Sequence, residues 1–214
     1  MNHIEEIRKE IATYLDLNSK IKESETTIFS PTKKYRIETA EYNQTRPDTN
    51  WEVTKVEIFE HATGEKLFSI FSNWGTFFHG WATKGNVDYL ICAEDIYGGQ
   101  TIIDLTNRII EGFSPGEDGF IATDYYISPN AEILGVVGCY WACPYVLKFY
   151  KFDSPIQLPL IEFYEIELKE SLSDKISWRD NDTIIFKNET SGQERVEKIG
   201  TAHNNIFAPG GVDV

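Results

Sequence analysis

Cys139 and Cys143 lie four positions apart around Tyr140-Trp141-Ala142, and two thiols at close spacing could hold a metal or exchange a disulfide. A structural zinc site needs a second such pair or two neighbouring histidines, whereas His3, His61, His79 and His203 are scattered. A redox pair has one residue fewer between its sulfurs. Along an extended strand, residues four apart share a face but sit about 13 Å from each other. The expectation is two interior thiols, with no metal and no cofactor.

The carboxylates offer a second chemistry. Glu94 and Asp95 precede Tyr97-Gly98-Gly99, while Glu117-Asp118-Gly119 and Asp124 lie in a neighbouring stretch. Paired carboxylates can hydrolyse glycosides. Nothing in this spacing fixes their separation or raises the pKa of one of them, and Asp-Gly is a turn signal. There is no Gly-x-Ser-x-Gly elbow, no calcium loop and no glycine-rich phosphate cradle before a helix. The chain therefore reads as a non-enzyme without catalytic residues. A glycoside-type hydrolase stays as an alternative.

Charge and composition narrow the partners. Of 214 residues, 34 are acidic and 20 basic, a formal charge of −14 that disfavours nucleic acid and anionic membrane surfaces. Three cysteines, an odd number, do not make a disulfide framework. Met1 to Glu6 lacks the basic start and apolar run of a signal peptide, and no apolar stretch has membrane-spanning length. A cytoplasmic protein is expected.

The elements that must position these residues are mostly strands. Ile4, Ile7, Ile11, Tyr14 and Leu15 recur at helical spacing, so residues 1–25 read as an amphipathic helix and a connector. From residue 26 short β-rich runs alternate with turns, such as Trp51–Phe59, Asp88–Ala93, Gln100–Leu105, Tyr145–Asp153 and Thr183–Phe186. Turns at Pro31, Lys84, Pro129 and Asp180 recur about every fifty residues, the period of a propeller blade. Residues 26–200 form one domain in this reading, and 201–214 a flexible tail.

Ser30-Pro31-Thr32-Lys33, Ser128-Pro129-Asn130-Ala131 and His61-Ala62-Thr63-Gly64-Glu65-Lys66 resemble the Ser-Pro-Asp-Gly-type and Asp-x-x-Thr-Gly-type turns of WD40-like β-propellers, although the Gly-His and Trp-Asp signatures are missing. Gly138 to Tyr145 is also similar to a stretch in bacterial proteins of like strand pattern. The resemblance covers about residues 26–188 and implies a mainly β fold: a partial or small propeller-like array of three to four four-stranded blades behind the N-terminal helix. A closed ring, an open arc and a half-ring completed by a second copy all remain open, with a β-sandwich as the rival packing. An open arc needs a cover for its apolar end faces.

In that register one rim collects the aromatic loops. The expected contact residues are Trp51, Trp74, His79, Asp95, Tyr97, Asp118, Tyr140, Trp141 and Tyr145. Aromatic residues with a polar surround, on loops over a rigid scaffold, suit an interaction site. The expected role is a protein-interaction module, immunity-type or scaffold, with a protein partner or self-association. The alternative binding reading is a carbohydrate or small ligand stacked on Trp74, Trp81 or Trp141.

Overall fold

The computed structural model describes residues 1–13, 19–45, 50–116, 119–141, 144–168, 174–188 and 191–199. Among the described residues one helix, α1 (Ile4–Thr13), precedes fifteen strands. Sheet 1 contains β1 (Thr26–Phe29), β2 (Tyr35–Thr45), β3 (Asn50–Glu60) and β4 (Lys66–Ser72). Sheet 2 contains β5 (His79–Lys84), β6 (Val87–Cys92), β7 (Gln100–Asp104) and β8 (Ile109–Phe113). Sheet 3 contains β9 (Phe120–Ile127), β10 (Ile133–Tyr140), β11 (Tyr145–Lys151) and β12 (Glu162–Leu168). Sheet 4 has β13 (Asp174–Trp178), β14 (Thr183–Asn188) and β15 (Glu194–Lys198).

Every sheet is an antiparallel meander in which chain neighbours are sheet neighbours. The first strands of successive sheets approach one another, β5 against β9 and β9 against β13. That is how blades crowd their inner strands around an axis. Three layers of apolar side chains fill the gaps between successive sheets. Ile37, Ile58 and Ile70 meet Leu90 and Ile103 between sheets 1 and 2. Ile91 and Ile102 meet Phe120, Leu134 and Val136 between sheets 2 and 3. Val137, Leu147 and Phe149 meet Ile184 and Phe186 between sheets 3 and 4. A strand in the middle of such a stack is buried on both faces, so β6 and β10 read as near-continuous apolar runs. The chain is thus a mainly β, propeller-like array of stacked sheets with one N-terminal helix, and not a two-layer sandwich.

The end sheets solve the cover problem. On the outer face of sheet 1, β2 and β3 carry Arg36, Glu38, Lys55 and Glu57, joined by ion pairs Arg36–Glu38 and Lys55–Glu57. Where that face turns apolar, at Tyr42, Val53, Trp51 and Phe71, α1 lays Ile7 and Ile11 over it. The described part of its stripe is therefore buried within its own chain, while Tyr14 and Leu15 lie outside the described residues. On sheet 4, the register that pairs Ile185 with Val196 also pairs Lys187 with Glu194, whose side chains lie 3.5 Å apart. Terminal units of stacked-repeat proteins need such polar outer faces.

Polar ties link sheet 1 to sheet 2, and sheet 2 to sheet 3, at the end opposite α1. The Lys34 ammonium donates to Asp88 at 2.9 Å, and Arg108 donates to both Glu65 oxygens at 2.8 and 2.7 Å. The Lys84 ammonium donates to the Ala131 and Phe152 carbonyls at 3.0 and 2.9 Å. The two Ser-Pro turns share one geometry. The Ser30 and Ser128 hydroxyls accept from the Tyr35 and Ile133 amides, and Lys33 and Ala131 take the left-handed conformation at φ +57° and +54°. Among the described residues no helix is long and apolar enough to cross a membrane.

Candidate interaction surface

The loops that follow β4, β6 and β10 open on one rim, beside α1. Thr54, buried on β3, donates its hydroxyl to the Trp74 and Gly75 carbonyls and so fixes the loop after β4. The Asn73 amide nitrogen donates to the Glu94 carbonyl at 2.9 Å, tying that loop to the one after β6. The loop after β6 in turn pairs with β9 through a bridge between Tyr97 and Ile121, and the Gly98 amide donates to the Phe120 carbonyl at 2.7 Å. Three sheets are thereby locked together at this edge.

Above the lock runs a row of aromatic rings. Trp74 meets Trp51 edge-on with centroids 5.3 Å apart, Trp51 lies 6.5 Å from Tyr97, and Tyr97 stacks on Trp141 at 5.0 Å with planes 24° apart. The indole Nε1 of Trp51 donates to the Asn73 carbonyl at 2.6 Å. Each such aromatic pair contributes about 1 kcal/mol beyond its buried area. Trp141 ends the row with 67% of its surface exposed and a left-handed backbone, φ +41°. An L-residue with a bulky side chain rarely adopts that conformation, which strain confines mostly to functional segments. Its ring lies over Gly119, where a Cβ would come within 3.1 Å of the indole. Beside the row, Ile7, Ile11, Glu10, Trp51 and Tyr97 line a groove of about 330 Å³ between α1 and the loops.

The carboxylates sit beneath the row. Asp95 is only 3% exposed. Its Oδ1 accepts from Asn73 Nδ2 at 3.0 Å and from the Tyr97 amide at 3.1 Å, and its Oδ2 accepts from the Ser114 hydroxyl at 2.6 Å. It clamps the loops on either side of sheet 2 and lines the groove beside α1. Glu94, 2% exposed, accepts from Arg8 Nε at 2.9 Å, Arg8 Nη2 at 2.7 Å and the Thr101 hydroxyl at 3.1 Å. The hydrogen bond with Glu94 is the largest influence raising the Arg8 pKa. Burial, then the Asp95 charge, push the Tyr97 phenol above its usual range.

The other expected contact residues separate. Tyr140, 40% exposed, flanks the row and accepts a hydrogen bond from the Lys148 ammonium at 2.8 Å. Tyr145 packs into the layer between sheets 3 and 4, away from the row. His79, on β5, stacks on Phe77 at 5.3 Å and meets Trp81 edge-on at 6.0 Å, and both of those neighbours belong to the layer between sheets 1 and 2. Burial lowers the His79 pKa, partly opposed by its hydrogen bond to the Phe77 carbonyl. Asp118 lies outside the described residues, as do Glu117 and Cys143. Cys92 and Cys139 are buried free thiols, and among the described residues no cluster of three metal-ligating side chains occurs.

Sequence reasoning missed Arg8, Asn73, Ser114 and Lys148. Only Lys148 left a legible signal, since it falls between Val146 and Tyr150 on the inward stripe of β11.

No family model and no curated relative matches the chain. Among solved structures it is similar to the dihydro-heme d1 dehydrogenase NirN in complex with DHE, at 12% identity and a TM-score of 0.45, over 81% of this chain and 37% of that one. It is similar to an uncharacterized protein from Listeria monocytogenes EGD-e at 14% identity and TM-score 0.44, over 84% and 52%. It is also similar to the β-propeller domain of Myceliophteria thermophila Cps50 (Swd1), at 9% identity and TM-score 0.41, over 82% and 70%. The chain spans between a third and about half the length of the first two of these proteins.

Proposed function

We propose that this chain is a non-enzymatic protein-interaction module that presents its aromatic row and the adjoining groove to a basic protein partner. The observation that carries this reading is Trp141, 67% exposed, held at φ +41° and braced by Tyr97 at the end of a row spanning three sheets. A rigid aromatic anchor loses little freedom on binding, which is why Trp and Tyr dominate interface energetics. The formal charge of −14 would steer a cationic partner towards the surface. An immunity-type inhibitor of a basic toxin is the concrete form, acting in the cytoplasm, where thiols such as Cys92 and Cys139 stay reduced.

The exposed Trp141 indole also favours a second reading, a sugar stacked on that ring. Glu94 and Asp95 are each engaged by structural partners, which weighs against hydrolysis by that pair. The test is affinity capture from an extract of the native cell at low and at high salt, with the wild type and Trp141→Ala side by side. A protein retained only by the wild type and released by salt supports the module. Quenching of tryptophan fluorescence by an oligosaccharide, with no such protein retained, would replace it by the sugar reading.

A further inference from the structure

Two adjacent carboxylates beneath the aromatic row differ in how their charge is answered. Glu94 has a cation of its own, the Arg8 guanidinium. Asp95, almost as buried, accepts from the Asn73 side-chain amide, the Tyr97 backbone amide and the Ser114 hydroxyl, all of them neutral. Among the described residues no lysine or arginine pairs with it. A buried negative charge held only by dipoles favours any cation brought near it.

The groove of about 330 Å³ beside α1 brings such a cation near. Ile7, Glu10, Ile11, Trp51, Asp95 and Tyr97 line it, with Asn73 and Gly116 completing the wall. Its lining holds two carboxylates and no basic side chain. Glu10 is exposed at the α1 edge, whereas Asp95 acts from beneath through its field, which already reaches the Tyr97 phenol.

The remaining polar groups are mostly spent within the chain. Asn73 gives its side-chain amide to Asp95 and its side-chain carbonyl to the Ile96 amide, and the Trp51 indole nitrogen donates to the Asn73 backbone carbonyl. Trp51 therefore offers a ring face and not a donor. The half-buried Trp51 and Tyr97 rings stand 6.5 Å apart with planes 40° from each other. Ring faces attract cations, and two carboxylates repel anions.

Size and hydration narrow the cation. The groove lies at the small end of ligand clefts, roughly 300–1,000 Å³, which suits one side chain better than a folded element. A cation entering between aromatic and aliphatic walls must shed water. Guanidinium is more weakly hydrated than ammonium, and its plane lies flat on an aromatic ring.

We propose that this groove is the receptor for a single arginine side chain of the basic partner. The guanidinium rests on the Trp51 and Tyr97 rings in the field of Glu10 and Asp95, and the methylene stem runs along Ile7. That the arginine belongs to a protein rests on the interaction-module reading, whereas the preference of the groove for guanidinium does not.

The probes are the acetyl methylamides of arginine, lysine and citrulline, titrated at low salt into the full chain. The readout is the NMR signal of the Trp51 indole N–H, assigned by its loss in Trp51→Phe. The arginine compound shifts that signal to saturation. The lysine compound binds about three-fold more weakly, and the citrulline compound, similar in shape but uncharged, about ten-fold more weakly. Glu10→Lys, at an exposed position, lowers the affinity for the arginine compound about ten-fold, and Asp95→Asn about five-fold, with thermal melting to verify that each variant is folded. The proposal is overturned if citrulline or lysine binds as tightly as arginine, if Glu10→Lys leaves the affinity unchanged, or if no saturable shift occurs. Arginine binding with no protein retained in the capture experiment would keep the groove assignment and remove the protein partner. A protein retained equally by the wild type and Glu10→Lys would keep the module and remove this assignment.

Discussion

Arg8 and Glu94 meet through two parallel hydrogen bonds, of 2.9 and 2.7 Å, across 86 positions of the chain. This contact fastens α1 to sheet 2 while Ile7 and Ile11 fasten it to sheet 1. A two-point guanidinium–carboxylate contact also fixes orientation, which a lysine could not do.

Removing one partner is therefore costly. Arg8→Ala leaves the Glu94 carboxylate buried with only the Thr101 hydroxyl. Since the Arg8 side chain is 32% exposed, the expected loss is about 2–3 kcal/mol, towards the low side for a broken buried pair. Urea titration reads it as a lower midpoint at unchanged slope. The double variant Arg8→Met with Glu94→Leu regains most of the loss. An equal or larger loss in the double variant would contradict the account.

Asp95 is expected to act on the rim from below. Asp95→Ala strands the donors of Asn73, Tyr97 and Ser114 and costs about 2–4 kcal/mol. Because those groups carry the aromatic row, tryptophan emission should shift to longer wavelength in the still-folded variant. Ser114→Ala removes one donor and costs about 1 kcal/mol. Unchanged emission in Asp95→Ala would mean the row stands without its clamp.

The Ser-Pro turns give a prediction of the opposite sign. Lys33 is exposed and adopts φ +57°, a conformation that costs an L-residue about 1–2 kcal/mol. Lys33→Gly should stabilise the protein by about 0.5–1 kcal/mol, raising Tm by about 2–3 °C. Ala131 has the same backbone but is buried, so Ala131→Gly loses methyl packing and should gain nothing. Calorimetry on the pair separates backbone relief from packing.

His79 makes stability depend on pH. In the unfolded chain its imidazole takes up a proton as pH falls through about 6.5. Burial depresses the folded pKa, so the folded protein stays neutral there and binds fewer protons than the unfolded chain. The contribution is fully present above that pH and is lost as pH falls towards the folded value. His79→Phe keeps a ring against Phe77, and its Tm should drop less than that of the wild type between neutral pH and about pH 5. Parallel curves would assign the acid sensitivity elsewhere.

The sheets were readable in the chain because their signals are local. Ser30-Pro31 and Ser128-Pro129 mark equivalent turns, and the apolar runs of β6 and β10 mark strands buried on both sides. The gathering of Trp51, Trp74, Tyr97 and Trp141 followed from the repeat alone, since equivalent loops of stacked sheets emerge on the same side. The role of Asp95 was not readable. A carboxylate two positions before Tyr97-Gly98-Gly99 looks like a solvated loop residue, and its partners Asn73 and Ser114 lie 22 and 19 positions away. From sequence Tyr145 falls just after the loop that follows β10, whereas in the structure it lies within β11 and packs into the layer between sheets 3 and 4. The third strand of sheet 4, Glu194–Lys198, has almost no apolar pattern: Arg195 and Glu197 stand opposite the buried Phe186 and Ile184, and its one apolar residue, Val196, is on the exposed side.

The charged outer face of sheet 1 sets a rule for how this architecture can lengthen. A duplicated four-strand unit placed outside sheet 1 would have to desolvate Arg36, Glu38, Lys55 and Glu57 before it met anything apolar. The same unit spliced between sheets 2 and 3 would find oily surfaces on both sides. Gene-level expansion of this molecule should therefore occur by insertion in its interior, and seldom by addition at that flank.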